Sequence, residues 1–224
     1  TFDKMLEWLG NEYLAYYNGC GSVQFEEFVL SPGHHTLCDE RSCKDCSQQA
    51  CHSQPEILKL HNDTPIVSFD IELFLSRVDK LHIREIHDRC DLLIADEATK
   101  LVLCEFTCSA EKYINPYLHH KNGMQQGKRA KAYKQLMSVI EELEAVPNIK
   151  SRLNNYAVRI GLFAYRVKNP LRSEPDAPSP ERIKLRDSLS AFKPSPKLSS
   201  PTLLTDMGHG FQFRQIRYPD AYDW

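Results

Sequence analysis

One ten-residue run, Lys100 to Ser109 (KLVLCEFTCS), constrains this chain more than any other. In an extended conformation Leu101 and Leu103 lie on one face and Val102, Cys104 and Phe106 on the other, so both faces demand burial. Such a strand belongs in the middle of a sheet covered on both sides. Yet Glu105 interrupts it. The run before it, REIHDRCDLLIAD over 84–96, reads as a second strand, and the short polar turn Glu97-Ala98-Thr99 joins the two as a hairpin. That strand also holds an acid, Asp91, just ahead of Leu92-Leu93-Ile94.

The neighbouring segments supply partners for this hairpin. Phe2, Met5, Leu6, Leu9, Tyr13 and Tyr16 recur at helical spacing over 2–17, and Asn18-Gly19 stops that helix. VQFEEFVL (23–30) and PIVSFDIELFL (65–75) read as strands. From Gly123 to Val146 the period turns helical, with Tyr133, Leu136, Met137, Ile140 and Leu143 in one stripe, and NYAVRIGLFAYRV (155–167) returns to a buried strand. This order predicts an α/β core over residues 1–168, a mixed central sheet flanked by helices. Residues 31–63 form an insertion in it, rich in Gly, His, Cys, Ser, Asp and Gln. Residues 169–206 carry prolines among Ser, Lys and Arg and read as an arm or linker, with one short helix near 180–192. Residues 207–224 bring a terminal strand, GFQFRQIRY, which with the arm could dock on a protein neighbour.

Four of the eight cysteines, Cys38, Cys43, Cys46 and Cys51, fall in the insertion as C-x4-C-x2-C-x4-C. Four thiolates on a polar loop fit a tetrahedral Zn²⁺, which supplies folding energy that the few apolar residues there cannot. His34, His35 or His52 could replace one cysteine. An iron–sulfur cluster is the competing reading, since C-x4-C-x2-C matches a plant-type opening. Clustered thiols of this kind point to a reducing, intracellular compartment, cytoplasmic or nuclear. No run of 18 apolar residues occurs, which excludes a helical membrane span, and the opening TFDKMLEWLG lacks the basic start and cleavage site of a targeting segment.

An acid inside an apolar strand costs several kcal/mol unless something compensates it. Asp91 and Glu105 lie on adjacent strands, and a divalent cation is the economical partner, because Mg²⁺ takes hard oxygen ligands and is typically held by one or two carboxylates. Asp96 and Glu97 sit in the turn, where water solvates them. Glu105 and Thr107 share a strand face.

An Asp, thirteen residues, then E-x-T, on a hairpin preceded by a helix and followed by helix and strand, resembles the PD-(D/E)XK nuclease superfamily. Its pattern is an acid on one strand and (D/E)-x-K on the next. The resemblance implies a restriction-endonuclease-like core, with Asp91 and Glu105 as ligands of Mg²⁺ or Mn²⁺. In that family the Lys orients water or stabilises charge at the scissile phosphate. Here Thr107 occupies the Lys position and Cys90 a position where the family often has Pro. Members of the superfamily relocate the Lys, and the candidates are Lys112 after the strand and Lys128 or Lys131 on the next helix, where Lys128, Lys131 and Gln135 form one strip. The family also often takes an acid from its first helix, which points to Glu12.

The formal net charge is −2, from 28 basic and 30 acidic residues, so only local clustering can attract a polyanion. Such clustering exists. No acid occurs between Glu111 and Glu141, while Lys112, Lys121, Lys128, Arg129, Lys131 and Lys134 do, with Tyr113 and Tyr117 interleaved. These cations can meet a phosphate backbone, of DNA or of RNA. The leading expectation is a Mg²⁺-dependent deoxyribonuclease. Two others stand beside it: a non-catalytic scaffold that binds nucleic acid or protein and has lost the Lys, and a subunit of a larger nucleoprotein assembly.

Overall fold

A computed structural model describes residues 6–18, 23, 27–37, 57–97, 99–119, 122–167 and 205–224. It is an α/β fold around a mixed central sheet flanked by helices. The elements in chain order are α1 (Glu7–Tyr16), β1 (Glu27–Leu30), β2 (Gly33–Leu37), β3 (Leu58–Asn62), β4 (Ile66–Asp70), α2 (Ile71–Lys80), β5 (Leu92–Ala95) and β6 (Lys100–Ser109). There follow a single 3₁₀ turn (Glu111–Tyr113), β7 (Tyr117–His119), β8 (Gly123–Gln125), α3 (Gly127–Glu144), α4 (Pro147–Leu153), β9 (Val158–Val167), β10 (Thr205–Gly208), β11 (Phe211–Arg217) and β12 (Ala221–Asp223).

Seven strands make the main sheet in the order β1-β4-β5-β6-β9-β11-β10. β4, β5 and β6 form an antiparallel meander, β6 runs parallel to β9, and β9 runs parallel to β11. The run KLVLCEFTCS is therefore a central strand, paired along its whole length with β9. Its two faces feed two cores. Leu101 and Leu103 pack with Leu9, Tyr13, Phe74, Leu136 and Phe163 beneath the helices. Val102, Cys104 and Phe106 pack with Leu58, Leu60 and Tyr222 from a second sheet, ordered β12-β3-β2. Each fully buried leucine or phenylalanine contributes about 1.5–3 kcal/mol, which is why a two-faced apolar strand settles between two layers.

Three differences from the sequence reading concern the periphery of this core. Residues 65–75 are not one strand. The strand ends at Asp70, whose carboxylate accepts the Leu73 N–H at 2.7 Å and caps α2, and Ile71, Phe74, Leu75 and Val78 then recur at helical spacing. Residues 84–91 are irregular, and the strand spans only Leu92–Ala95. Charges in the irregular segment are taken up by contacts with the helical layer, Arg84 with Glu142 at 3.1 Å and Asp88 with Lys134 at 2.6 Å. Finally, the flanks of the insertion are strands. β2 and β3 pair antiparallel, and Ile57 N–H donates to Leu37 O at 2.9 Å, so the chain leaves and re-enters at adjacent points. Cys38, Cys43, Cys46 and Cys51 lie outside the described residues, as does the expected helix at 180–192.

The terminal strand lies in the chain's own sheet. β11 runs beside β9 and buries Phe211, Phe213 and Ile216, while β12 completes the second sheet beside β3. No helix among the described residues is long and apolar enough to cross a membrane.

Candidate active site

The β5–β6 register pairs Leu92 with Cys104, Leu93 with Leu103 and Ile94 with Val102. Asp91 lies just beyond the end of β5, where the chain leaves this register: its N–H donates at 2.9 Å to Cys104 O, the carbonyl of the residue already paired with Leu92, and its own carbonyl accepts from Glu72 N–H at 3.4 Å. Alternation places Glu105 on the helix-facing side with Leu101 and Leu103, which belong to the core beneath the helices. Asp91 contacts β6 at Cys104 O and at Phe106 N–H, on either side of Glu105, so the two acids are neighbours at one end of the sheet.

Both acids are half-buried, and the Oε2 atom of Glu105 is withdrawn from solvent. Phe106 N–H donates to Asp91 Oδ2 at 2.5 Å, which fixes the aspartate against the central strand. Two thiols report the field these acids create. Burial, then the charges of Glu105 and Asp91, push the Cys90 thiol far up, and burial with Asp91 and Glu105 does the same to Cys104. Each thiol adjoins one of the acids in the chain and feels the charge of the other as well. These cysteines are buried and stay protonated, so they are packing residues rather than nucleophiles.

Asp96 behaves differently. Burial alone would raise its carboxyl, but hydrogen bonds from Thr99, the Lys100 N–H and Trp224 outweigh that and hold it below the usual carboxylate range. Its place is the hairpin turn, where it organises the chain rather than sitting free in water.

Thr107 follows Glu105 on the same face, half-buried, beside Tyr165 of β9. α3 then crosses above. Gln135 Nε2 donates to Arg89 O at 2.6 Å, two residues ahead of Asp91, which sets that turn of α3 against the segment leading into Asp91. Lys131 lies one turn before Gln135 on the same strip of the helix and Lys128 about another turn on, and both are exposed. Lys134 pairs with Asp88, and the Lys112 ammonium lies 4.8 Å from the Tyr113 ring centroid. Arg129 holds the helix start through its N–H to Ile114 O at 3.0 Å, with its guanidinium 5.9 Å from the Phe213 ring. Gly127 permits this close approach. Its φ is +81°, and a Cβ there would stand 2.4 Å from Asn115 O. Lys121 lies outside the described residues.

Glu12 does not join this group. It accepts a 2.7 Å hydrogen bond from Asn148 Nδ2 on α4, beyond the C-terminal end of α3. From Gln135 to the end of α3 is about 14 Å along the axis, so the first helix presents its acid at the far end of the helical layer. α2 meets the site through its backbone, where the Glu72 N–H reaches Asp91 O at 3.4 Å. The apolar period of Ile71, Phe74, Leu75 and Val78 after an N-cap aspartate was the sequence signal for this helix.

Among the described residues no set of three His, Cys, Asp or Glu side chains gathers to hold a metal. Two hard carboxylates on one face fit the sparse protein ligation of Mg²⁺, which keeps several waters and takes other oxygens from substrate. No family model, no curated protein and no solved structure matches this chain.

Proposed function

We propose that the protein is a metal-dependent nuclease that hydrolyses phosphodiester bonds of DNA. The observation that carries this reading is the closeness of Asp91 and Glu105 at the end of β5, where Asp91 contacts β6 on either side of Glu105. The order α2, hairpin, α3, β9 also supports the resemblance to the PD-(D/E)XK superfamily and a restriction-endonuclease-like core. Asp91 and Glu105 would hold Mg²⁺ or Mn²⁺. Bound there, the ion polarises the phosphate and lowers the pKa of the attacking water.

The chain's own residues do the rest. Phe106 N–H holds the Asp91 carboxylate in place. Gln135 fixes the Arg89 carbonyl and with it the approach of the segment that carries Asp91. Thr107 has a hydroxyl that can donate one hydrogen bond to water or phosphate but no charge. Lys131 is the residue we assign the family lysine's part, because it follows Gln135's strip and has an exposed ammonium. Lys128 and Arg129 offer further charge to the backbone of the substrate. Cys38, Cys43, Cys46 and Cys51 we assign to a structural Zn²⁺, on their spacing alone.

Thr107 favours a second reading, in which the same scaffold holds nucleic acid without cutting it. Cleavage of plasmid and oligonucleotide DNA in Mg²⁺ separates the two. The nuclease reading requires cutting that disappears in folded Asp91→Ala and Glu105→Ala. Binding without hydrolysis in Mg²⁺ and Mn²⁺, with Asp91→Ala behaving like the parent, would establish the scaffold instead.

A further inference from the structure

Resting on the nuclease reading, we infer that a groove between α3 and β11 takes an unpaired nucleobase of the substrate, so that the acids act on single-stranded or frayed nucleic acid. The groove has a volume of about 350 Å³ and is lined by Asn115, Gln126, Arg129, Tyr133, Phe213 and Thr205 among others. That volume falls at the small end of ligand pockets and suits a planar ring with its sugar.

The lining is of the kind that recognises bases. Tyr133 and Phe213 meet edge to face, with centroids 5.4 Å apart and planes at 64°, and the Arg129 guanidinium lies over the Phe213 ring. Phe213 is buried and fixed, while Arg129 is exposed and free to close on an incoming ring. Single-strand binders use aromatic and guanidinium surfaces as stacking platforms for successive bases. Asn115 and Gln126 stand exposed at the rim. Each carries both donors and an acceptor, which a base edge can use and an aliphatic chain cannot.

Charge selects the occupant. The groove opens on the stretch from Lys112 to Ile140, which contains no acid, and Lys128, Arg129 and Lys131 are all exposed there. An anionic strand with an apolar ring to bury complements that combination. Position ties the groove to the acids. Glu105, Phe163 and Gln215 form one row across β6, β9 and β11, and Phe213 lies two residues from Gln215 on the same face. Two strand spacings and two residues of rise give a separation of roughly 12 Å. A stacked strand, at about 3.4 Å per nucleotide, covers it in three to four nucleotides, and a stretched one in fewer. An intact duplex keeps its bases paired and cannot fill the groove from the side.

The test uses the full chain in Mg²⁺-free buffer, a fluorescein-labelled 12-nucleotide DNA strand, the same sequence as a blunt duplex, and a copy of the strand carrying 2-aminopurine. Ala130→Trp, on the groove wall, fills the space, and Arg129→Ala removes the guanidinium from an exposed position. The expected result is at least tenfold tighter binding of the single strand than of the duplex, with quenching of 2-aminopurine on binding. Ala130→Trp should weaken the single strand fivefold or more and change the duplex less than twofold, and Arg129→Ala should weaken the single strand fivefold or more and by more than it weakens the duplex. Equal affinity for the two forms, or single-strand affinity within twofold of the parent in both variants, overturns the inference. So does a large fall in thermal midpoint of free Ala130→Trp with unchanged oligonucleotide affinity, which would mean that the chain itself fills the groove. Cleavage separates the two claims. Asp91-dependent cutting without the groove effect removes only the groove, whereas the groove effect without Asp91-dependent cutting removes only the nuclease.

Discussion

Replacing Asp91 by Asn keeps an oxygen that can accept the Phe106 N–H and removes one of two neighbouring charges. Two carboxylates about 5 Å apart repel by roughly 3 kcal/mol at an effective dielectric near 20. Their partial exposure reduces that to about 1–2 kcal/mol. Exchanging a charge-assisted hydrogen bond for a neutral one costs about 1 kcal/mol. Without metal, Asp91→Asn should therefore be as stable as the parent or up to about 1 kcal/mol more stable. Asp91→Ala also loses the bond to Phe106 N–H and should fall about 1–2 kcal/mol below the Asn variant. For a chain of 224 residues this separation is about 2–8 °C in thermal midpoint. Mg²⁺ should reverse the order: at ten times its dissociation constant it should stabilise the parent by about 1.4 kcal/mol and the Asn variant by little. Scanning calorimetry of parent, Asn and Ala proteins, with and without Mg²⁺, reads both effects. A loss of more than about 2 kcal/mol in metal-free Asp91→Asn would mean that the carboxylate is held by fixed cations, and the reasoning would fail.

Other perturbations reach other parts of the account. Lys131→Ala should lower Mg²⁺-dependent cleavage about tenfold or more, and Thr107→Lys should raise it, both read by single-turnover cutting of an oligonucleotide. Unchanged rates in both would leave the charge at the phosphate to another group. Gly127→Ala places a Cβ against Asn115 backbone at a φ of +81°, and should cost about 2–4 kcal/mol in thermal or urea unfolding. Tyr13 is fully buried with its hydroxyl donating to Glu142 at 2.6 Å, and burial, then that bond, push its phenol well above the usual value. The unfolded phenol ionises near pH 10 while the folded one keeps its proton, so this contribution is intact below pH 10 and is lost as pH rises further. Tyr13→Phe should flatten the fall in stability between pH 10 and 11, at a cost of about 1–2 kcal/mol at pH 7.

What the sequence disclosed follows from how local each signal is. β6 was legible to the residue because alternation with both faces apolar has one solution, a central strand, and an acid inside it has few. α2 was hidden because IVSFD and IELFL are both apolar, and only the cap at Asp70 marks the change of period. The second sheet was hidden for a different reason. His34, Thr36, Lys59 and His61 make β2 and β3 polar on their outer side, and the burial of Leu58 and Leu60 depends on a sheet many residues away.

The site shows the same division. The place of Glu105 follows from strand alternation, which is local, whereas Asp91 reaches it from beyond the end of β5, where the chain departs from the hairpin register. Helical phase gave the strip of Lys128, Lys131 and Gln135, but the contact of Gln135 with Arg89 O depends on an irregular segment that no periodicity describes. Glu12 was the better-placed acid by helical phase, yet α1 packs toward α4 and carries it to the wrong end. The groove required β11 to insert beside β9, a long-range pairing with no signature in the stretch around Phe213 itself.

The central claim is that Asp91 and Glu105 hold one divalent ion. Mn²⁺ titration followed by electron paramagnetic resonance tests it on the intact chain, because Mn²⁺ selects hard oxygen ligands over thiolates. One site should be seen in the parent and lost in the Asp91→Asn, Glu105→Gln double variant. The same stoichiometry and affinity in both proteins would contradict the account.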